Sequence, residues 1–139
     1  MGKALPYIMN SIHFSFTKLV VADLEKCAVF YKAAAGLTEL ARVDATIEGR
    51  AIREIMFKAT AAGGSTFVLL NYPDAPAAVQ GEVILGFMTD DIAAFVKNAA
   101  AAGGRIVEAP KTQAQHGVKV AFVRDIEGHL IEVVELLAG

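Results

Sequence analysis

The sequence lacks the features that mark several specialised classes of protein. Its one cysteine, Cys27, cannot close a disulfide within the chain, so nothing points to an oxidising compartment. Thirteen Lys and Arg stand against fifteen Asp and Glu, a net charge of −2. There is thus no basic surplus to neutralise phosphates or anionic lipid, and we expect neither nucleic acid nor a membrane surface as a partner.

Long hydrophobic runs are also missing. The longest strongly apolar runs, such as Val83 to Met88, fall far short of the roughly 18 residues that span a bilayer. No apolar stretch of a secretion signal follows Lys3, so a cytoplasmic location is expected. The chain has 139 residues, 55% hydrophobic and 20% charged, which predicts one ordinary domain with a sizeable buried core.

An internal repeat organises the chain. Asp23 opens one helical pattern that ends at Gly36, and Asp91 opens another that ends at Gly103 and Gly104. Each Asp suits a helix N-cap and each Gly suits the left-handed residue after the last turn. The two Asp residues are 68 positions apart, and so are Gly36 and Gly104, which indicates equivalent helices.

The flanking segments repeat as well. β-branched and aromatic residues are dense before each helix, at 14–21 and 82–88, and again after it, at 51–58 with 64–72 and at 117–124 with 128–136. The pattern predicts an α+β fold of two tandem β-α-β-β-β modules, at about 12–72 and 81–137, in a single domain over 1–139. Residues 73–80, with two prolines, form the expected linker.

Several predicted strands are apolar on both faces. In the last one, Leu130 and Val134 share a face with Glu132, while Ile131 and Val133 lie on the other. A curved mixed sheet, covered by helices outside and enclosing a cavity inside, requires this pattern. A sheet with one face in water does not.

The duplicated modules and two sequence motifs resemble the vicinal oxygen chelate superfamily, which includes glyoxalase I, bleomycin-resistance proteins and extradiol dioxygenases. The motifs are Val-Ala-Asp-Leu with Phe-Tyr, within 21–31, and Arg-Asp-Ile-Glu-Gly-His-Leu-Ile-Glu at 124–132. The resemblance covers about residues 13–137. It implies that the sheet closes around a ligand cavity and that the protein forms a homodimer.

The resemblance also implies four metal-ligand positions, two in each module. They fall at Phe16, about Leu69, Ile84 and Glu132, and only Glu132 carries a donor. A divalent ion needs three or more protein donors, so no metal and no cofactor are expected. His13 and His129 lie three residues from Phe16 and Glu132, which places them on the opposite strand faces. We interpret the three histidines, His116 included, as solvated residues on turns or edges.

Glu132 is the anomaly that remains, because a carboxylate in an apolar strand must be paired, hydrogen-bonded or protonated. Lys18 shares the strand face of Phe16, so the resemblance places it near the cavity. Lys18 and Glu132 either form a buried ion pair or act together, Glu132 as general base and Lys18 as the group that stabilises an oxyanion. Alternatively, Lys18 extends to solvent.

The expected ligand-binding residues are apolar, with Asn71 as an orienting polar group beside Lys18. They are Phe16, Phe67, Leu69, Asn71, Ile84, Met88 and Phe122. Arg53 and Glu54 lie on a middle strand, and their direction depends on the turn at 48–50. Arg53 either reaches the cavity or forms an exposed cross-strand ion pair.

Three functions are compatible with these features. The first is a metal-independent protein that binds an apolar or aromatic small molecule, as metal-free bleomycin-resistance proteins do. The second is a metal-free isomerase, lyase or cyclase that uses Glu132 as general base. The third, a metal-dependent glyoxalase (lactoylglutathione lyase) or dioxygenase, is disfavoured by Phe16, Leu69 and Ile84.

Overall fold

The computed structural model describes residues 14–74 and 83–138, which form two β-α-β-β-β modules. The first consists of β1 (Phe16–Val20), α1 (Leu24–Ala35), β2 (Glu39–Ile47), β3 (Arg50–Phe57) and β4 (Thr66–Asn71). The second consists of β5 (Ile84–Met88), α2 (Ile92–Ala101), β6 (Arg105–Gln113), β7 (Val118–Arg124) and β8 (Leu130–Leu136), with a 3-10 turn at Ala114–His116. The predicted fold class is confirmed.

Both helices begin at the predicted residues. The carboxylate of Asp23 accepts a hydrogen bond from the Lys26 amide at 3.0 Å, and Asp91 caps Ala94 in the same way at 3.0 Å. Gly36 is left-handed, with φ 66°, directly after α1. Gly103, with φ 99°, follows α2 after Ala102. Local sequence therefore determines both helix starts and stops.

Each module folds its four strands into one mixed sheet. The strand order is β1-β4-β3-β2 in the first and β5-β8-β7-β6 in the second. The first strand runs parallel to the fourth in both, and the other pairs are antiparallel. The outer strands β2 and β6 were not located from the sequence, because most of their residues are exposed and polar residues interrupt the apolar pattern.

The two helices pack against the same buried layer of strand residues. On the sheets this layer includes Leu19, Ile55 and Leu69 in the first module and Ile131 and Val133 in the second. They form one cluster with the buried sides of α1 and α2, which also contact each other. We call the opposite side of the two sheets the helix-free face. Within residues 14–74 and 83–138, neither helix combines the length and the hydrophobicity that a membrane span needs.

The loop between β7 and β8 connects the second module to the first. The Glu127 carboxylate accepts hydrogen bonds from the amides of Ala22 and Asp23, at 2.8 and 2.7 Å, where the chain enters α1. An acidic group is stabilised there because the first amides of a helix are unpaired and carry partial positive charge. The Tyr31 hydroxyl donates to Asp125 in the same loop at 2.7 Å.

Candidate functional site

The helix-free face brings six of the nine predicted site residues to one side of the sheets. Register pairs Gly86 with Glu132, and Glu132 with Phe122, so these three lie side by side across β5, β8 and β7. The six residues are Phe16, Lys18, Ile84, Met88, Phe122 and Glu132. Phe16, Ile84 and Met88 are more than half exposed, at 52%, 59% and 64%.

Three predicted ligand-binding residues lie on the other side. Phe16 pairs with Thr66, so alternation along β4 turns Phe67, Leu69 and Asn71 towards the helices. Leu69 is fully buried in the core, and Phe67 packs edge-on against Tyr31. None of these three predicted ligand-binding residues therefore lies on the helix-free face with Phe16.

Asn71 has a structural contact instead. Its amide donates to the carbonyl oxygens of Val21 and Ala22, both at 2.9 Å. It therefore fixes the segment that leaves β1 and enters α1, and it cannot orient a ligand on the helix-free face.

The register also corrects the second metal-ligand position. Lys18 on β1 pairs with Val68 on β4. In the second module the equivalent of Lys18 is Gly86, 68 residues later, and Gly86 pairs with Glu132 on β8. Val68, rather than Leu69, is thus the residue equivalent to Glu132. Like Phe16 and Ile84, Val68 has no atom that can coordinate a metal. Within the described residues, no group of three His, Cys, Asp or Glu side chains is arranged to hold a metal ion.

Lys18 is paired with Glu54, not with Glu132. Its ammonium lies 2.6 Å from Glu54 Oε2, and the Glu54 side chain is only 7% exposed while that of Lys18 is 34% exposed. Glu54 Oε2 accepts no hydrogen bond from the other described residues, so the Lys18 ammonium is the group that balances its charge. The Phe16 ring lies 5.6 Å from the same ammonium. The ion pair between Lys18 and Glu132, one of the predicted alternatives, is wrong, because the Lys18 ammonium is paired with Glu54 in the first module.

The hairpin between β2 and β3 decides the direction of Arg53 and Glu54. Glu48 and Gly49 have positive φ, 50° and 77°, and Ile47 pairs with Arg50, which defines a two-residue turn. Glu54 consequently shares the helix-free face with Lys18, and Arg53 lies opposite Asp44 on the other face. Glu54 is the site residue that sequence reasoning missed, and the Glu-Gly turn was the signal that could have revealed it.

Glu132 is half-buried on β8. Among residues 14–74 and 83–138 it makes no side-chain hydrogen bond and no ion pair, whereas Glu54 and Glu135 pair with Lys18 and Lys119. Arg124 on β7 pairs with Leu130, so it lies diagonally from Glu132 on the same face. Its guanidinium donates to the Gly128 carbonyl at 2.8 Å. A Cβ placed on the neighbouring Gly86 would meet nothing within 4 Å, so there is open space beside the carboxylate.

A groove lies between β5 and residues 58–67 of the first module. It has a volume of about 630 Å³, within the size range of small-molecule sites. Three predicted ligand-binding residues, Phe67, Ile84 and Met88, line it together with Gly86 and Phe87. Gly86, which lines the groove, pairs with Glu132, so the groove lies next to the strand that carries Glu132.

His129 is buried, and its interpretation as a solvated residue is wrong. Its side chain is 6% exposed, and its Nδ1 lies 2.7 Å from Asp125 Oδ2. Burial alone would lower the pKa of His129, but the hydrogen bond and charge of Asp125 outweigh burial and raise it. His129 does lie on the face opposite Glu132, as its spacing predicts. His116 is exposed on its turn, as predicted, and His13 lies outside the described residues.

Asp125 is the centre of this cluster. It accepts hydrogen bonds from the Tyr31 hydroxyl, the His129 ring and the amides of Glu127 and His129. Burial would raise the pKa of Asp125, yet these hydrogen bonds lower it below the usual value. The same environment acts on Tyr31, whose pKa rises because the hydroxyl is buried beside that negative charge. The cluster joins the modules on the helix side of the sheets, away from Glu132.

Cys27 has the structural role expected of a buried cysteine. It is fully buried in α1, and burial first, then the nearby Glu127 charge, raises its pKa. A thiol that stays protonated is a poor nucleophile, so Cys27 packs as a small apolar side chain.

Comparison with known proteins agrees with this architecture. The family model described as the glyoxalase/bleomycin resistance protein/dioxygenase superfamily matches residues 11–133. Among curated proteins, no sequence is significantly similar to this chain. A glyoxalase family protein from Bacillus cereus is 19% identical, with a TM-score of 0.77 over 98% of this chain and 100% of that one.

Two other solved structures have the same fold. A glyoxalase/bleomycin resistance protein from Albidiferax ferrireducens is 22% identical, with a TM-score of 0.65 over 88% of this chain and 97% of that chain. A glyoxalase I mutant from Zea mays is 20% identical, with a TM-score of 0.69. The match covers 87% of this chain but only 45% of the Zea mays protein.

Proposed function

Because the chain belongs to the glyoxalase/bleomycin resistance protein/dioxygenase superfamily, we propose that it is a metal-independent member that binds an apolar or aromatic small molecule on the helix-free face. The observation that carries the proposal is the side chains at the four metal-ligand positions. Phe16, Val68 and Ile84 cannot coordinate a metal, and only Glu132 can. A single carboxylate is too few donors for a tightly held divalent ion.

The site retains the properties of a small-molecule site. Exposed Phe16, Ile84 and Met88 supply apolar contact surface, Phe122 adds a half-buried aromatic ring, and Gly86 leaves open space. Apolar walls with a few polar groups are typical of ligand sites, in which burial of ligand surface provides most of the affinity.

Metal analysis tests the proposal directly. The protein is dialysed with Zn²⁺ or Ni²⁺, passed over a desalting column and analysed for bound metal. We expect metal far below one equivalent. The matched variant F16H/I84H, which changes two exposed positions, adds two imidazoles to Glu132 and is expected to retain metal. One equivalent on the unaltered protein would contradict metal independence, and equal amounts on both proteins would show that these positions do not decide it.

A second candidate function is a metal-free isomerase, lyase or cyclase. It is favoured by Glu132, which lies half-buried without a described charged partner, as a general base requires. Turnover of α-carbonyl compounds that is abolished in Glu132→Gln, with binding retained, would support this function. Lys18, the predicted group for oxyanion stabilisation, is paired with Glu54, so this candidate function rests on Glu132.

We also propose that the protein is a cytoplasmic homodimer. Apolar side chains remain exposed on the helix side, at Val29, and at the end of β8, at Leu136, with exposed fractions of 66% and 65%. The 55% apolar content also exceeds the roughly 45–50% that is usual for globular chains, and subunit association would bury part of this excess. Light scattering coupled to size exclusion is expected to give twice the mass of 14.7 kDa, and cell fractionation checks the location.

A further inference from the structure

The charges on the helix-free face are unequally matched. On β1 and β3 the Lys18 ammonium lies 2.6 Å from the Glu54 carboxylate, which is more than nine-tenths buried. This pair has no net charge, and the Phe16 ring lies 5.6 Å from the Lys18 ammonium. The ammonium is therefore not available as a free cation for an anionic ligand.

The opposite situation holds on β8. Glu132 has no ion pair within the described part of the chain, and Arg124 is turned to the Gly128 carbonyl. A half-buried carboxylate without a partner is poorly solvated, so a cation that reaches it is bound more strongly than it would be in water. Glu132 is thus the carboxylate beside the open space at Gly86, while the Arg124 guanidinium, two residues along β7 from Phe122, binds a backbone carbonyl.

The space beside Glu132 fits an aromatic group. Gly86 has no side chain, and a Cβ there would contact nothing within 4 Å. On the other side Phe122 pairs with Glu132 in register and is half-buried. A flat ring can lie over Gly86 and against Phe122 while a positive nitrogen reaches the carboxylate, and the ring faces nearby also attract a cation.

We propose that the ligand of this protein is an aromatic cation whose positively charged nitrogen binds the Glu132 carboxylate. The inference rests on the proposed function and specifies its ligand class. The Lys18–Glu54 pair has a defined part in it, because Glu54 cancels the positive charge that would otherwise favour anions.

Two fluorescent dyes of opposite charge test the inference. Thioflavin T is an aromatic cation and 8-anilinonaphthalene-1-sulfonate is an aromatic anion, and each is titrated against the folded full chain. We expect thioflavin T to bind more tightly. Glu132→Gln should weaken thioflavin T about tenfold, since the permanently charged benzothiazolium ring loses the electrostatic attraction of the carboxylate, and should not weaken the anion. Asp44→Asn, an exposed change on β2, controls for net charge and should alter neither.

A second set of variants separates the roles of the charges. Glu54→Gln leaves Lys18 without its counter-charge, so anion binding should strengthen and thioflavin T binding should weaken. The double variant K18M/E54Q removes both charges and should restore the preference of the unaltered protein. Circular dichroism verifies that each variant is folded, and the double variant keeps the test valid if Glu54→Gln is unstable.

Gly86→Leu locates the binding site. The backbone of Gly86 has no positive φ and the space is open, so the leucine fits the fold but should block both dyes. If neither dye binds the unaltered protein, or if Gly86→Leu leaves binding intact, the proposed function at this site is refuted. If Gly86→Leu blocks binding but the anion binds as tightly as the cation and Glu132→Gln has no effect, only the inference of a cationic ligand is overturned.

Discussion

The hydrogen bond between Tyr31 and Asp125 is expected to contribute measurably to stability, and Tyr31→Phe isolates it. The hydroxyl donates at 2.7 Å to a carboxylate whose side chain has no exposed surface, 94 residues away in the other module. The ring itself packs against Phe30 and Phe67, with centroids 5.0 Å away in each case, and phenylalanine keeps those contacts. The substitution therefore removes one buried hydrogen bond and little else.

The expected loss follows from the charge on Asp125. Hydrogen bonds to charged groups contribute about 1.5–3 kcal/mol, against a total stability of roughly 5–15 kcal/mol for a domain. Urea unfolding followed by far-UV circular dichroism should show a midpoint lower by about 1 M, given a slope of about 1–3 kcal/mol per molar urea.

A double-mutant cycle with Asp125→Asn controls for unrelated effects. Because Tyr31 and Asp125 are in direct contact, we expect a coupling energy of about 1 kcal/mol or more. A loss below about 0.5 kcal/mol, the range of surface substitutions, together with no coupling, would refute the argument that this bond joins the modules.

Two further predictions concern stability. The pKa of His129 is raised and that of Asp125 is lowered. Their contribution to the free energy of unfolding should therefore be complete between pH 3.8 and pH 6.5, the ordinary pKa values of aspartate and histidine. It should be lost as the pH rises through the raised pKa of His129, and as the pH falls through the lowered pKa of Asp125; His129→Gln should remove the alkaline loss from urea midpoints measured against pH. Gly104→Ala should destabilise the fold by about 2 kcal/mol or more in thermal unfolding, because its Cβ would lie 2.7 Å from the Arg124 carbonyl oxygen. Gly86→Ala, where the space is open, is the matched control, and an equal loss in both variants would contradict this steric explanation.

Local sequence predicted the helices because their signals are local. An N-cap carboxylate and a left-handed glycine act within four residues of the helix end, so Asp23 and Gly36 determine α1 wherever the strands lie. The offset of 68 between the modules holds for β1 and β5 and for both helix starts. It becomes 64 at Val68 and Glu132, because the connections between the helix and the last strand differ in length.

The faces of the strands were harder to predict. Alternation fixes which residues of one strand share a face, and this was correct for Ile131 and Val133 relative to Glu132. It does not fix which residues of two different strands share a face, since that depends on register. Sequence comparison within the family assigns the second metal-ligand position to about Leu69, whereas the register gives it to Val68, one residue away and on the other face of β4.

The sequence by itself determined the duplicated fold, the helix ends and the absence of metal donors at Phe16 and Ile84, because each of these follows from residue type and spacing. Only the tertiary structure decided the partners of the charged groups. Lys18 binds Glu54 rather than Glu132, and Asp125 gathers Tyr31 and His129 from distant parts of the chain. Which charges meet in a buried place depends on the pairing of strands and the packing of modules, so no local pattern predicts that Lys18 pairs with Glu54 and that Glu132 has no charged partner among the described residues.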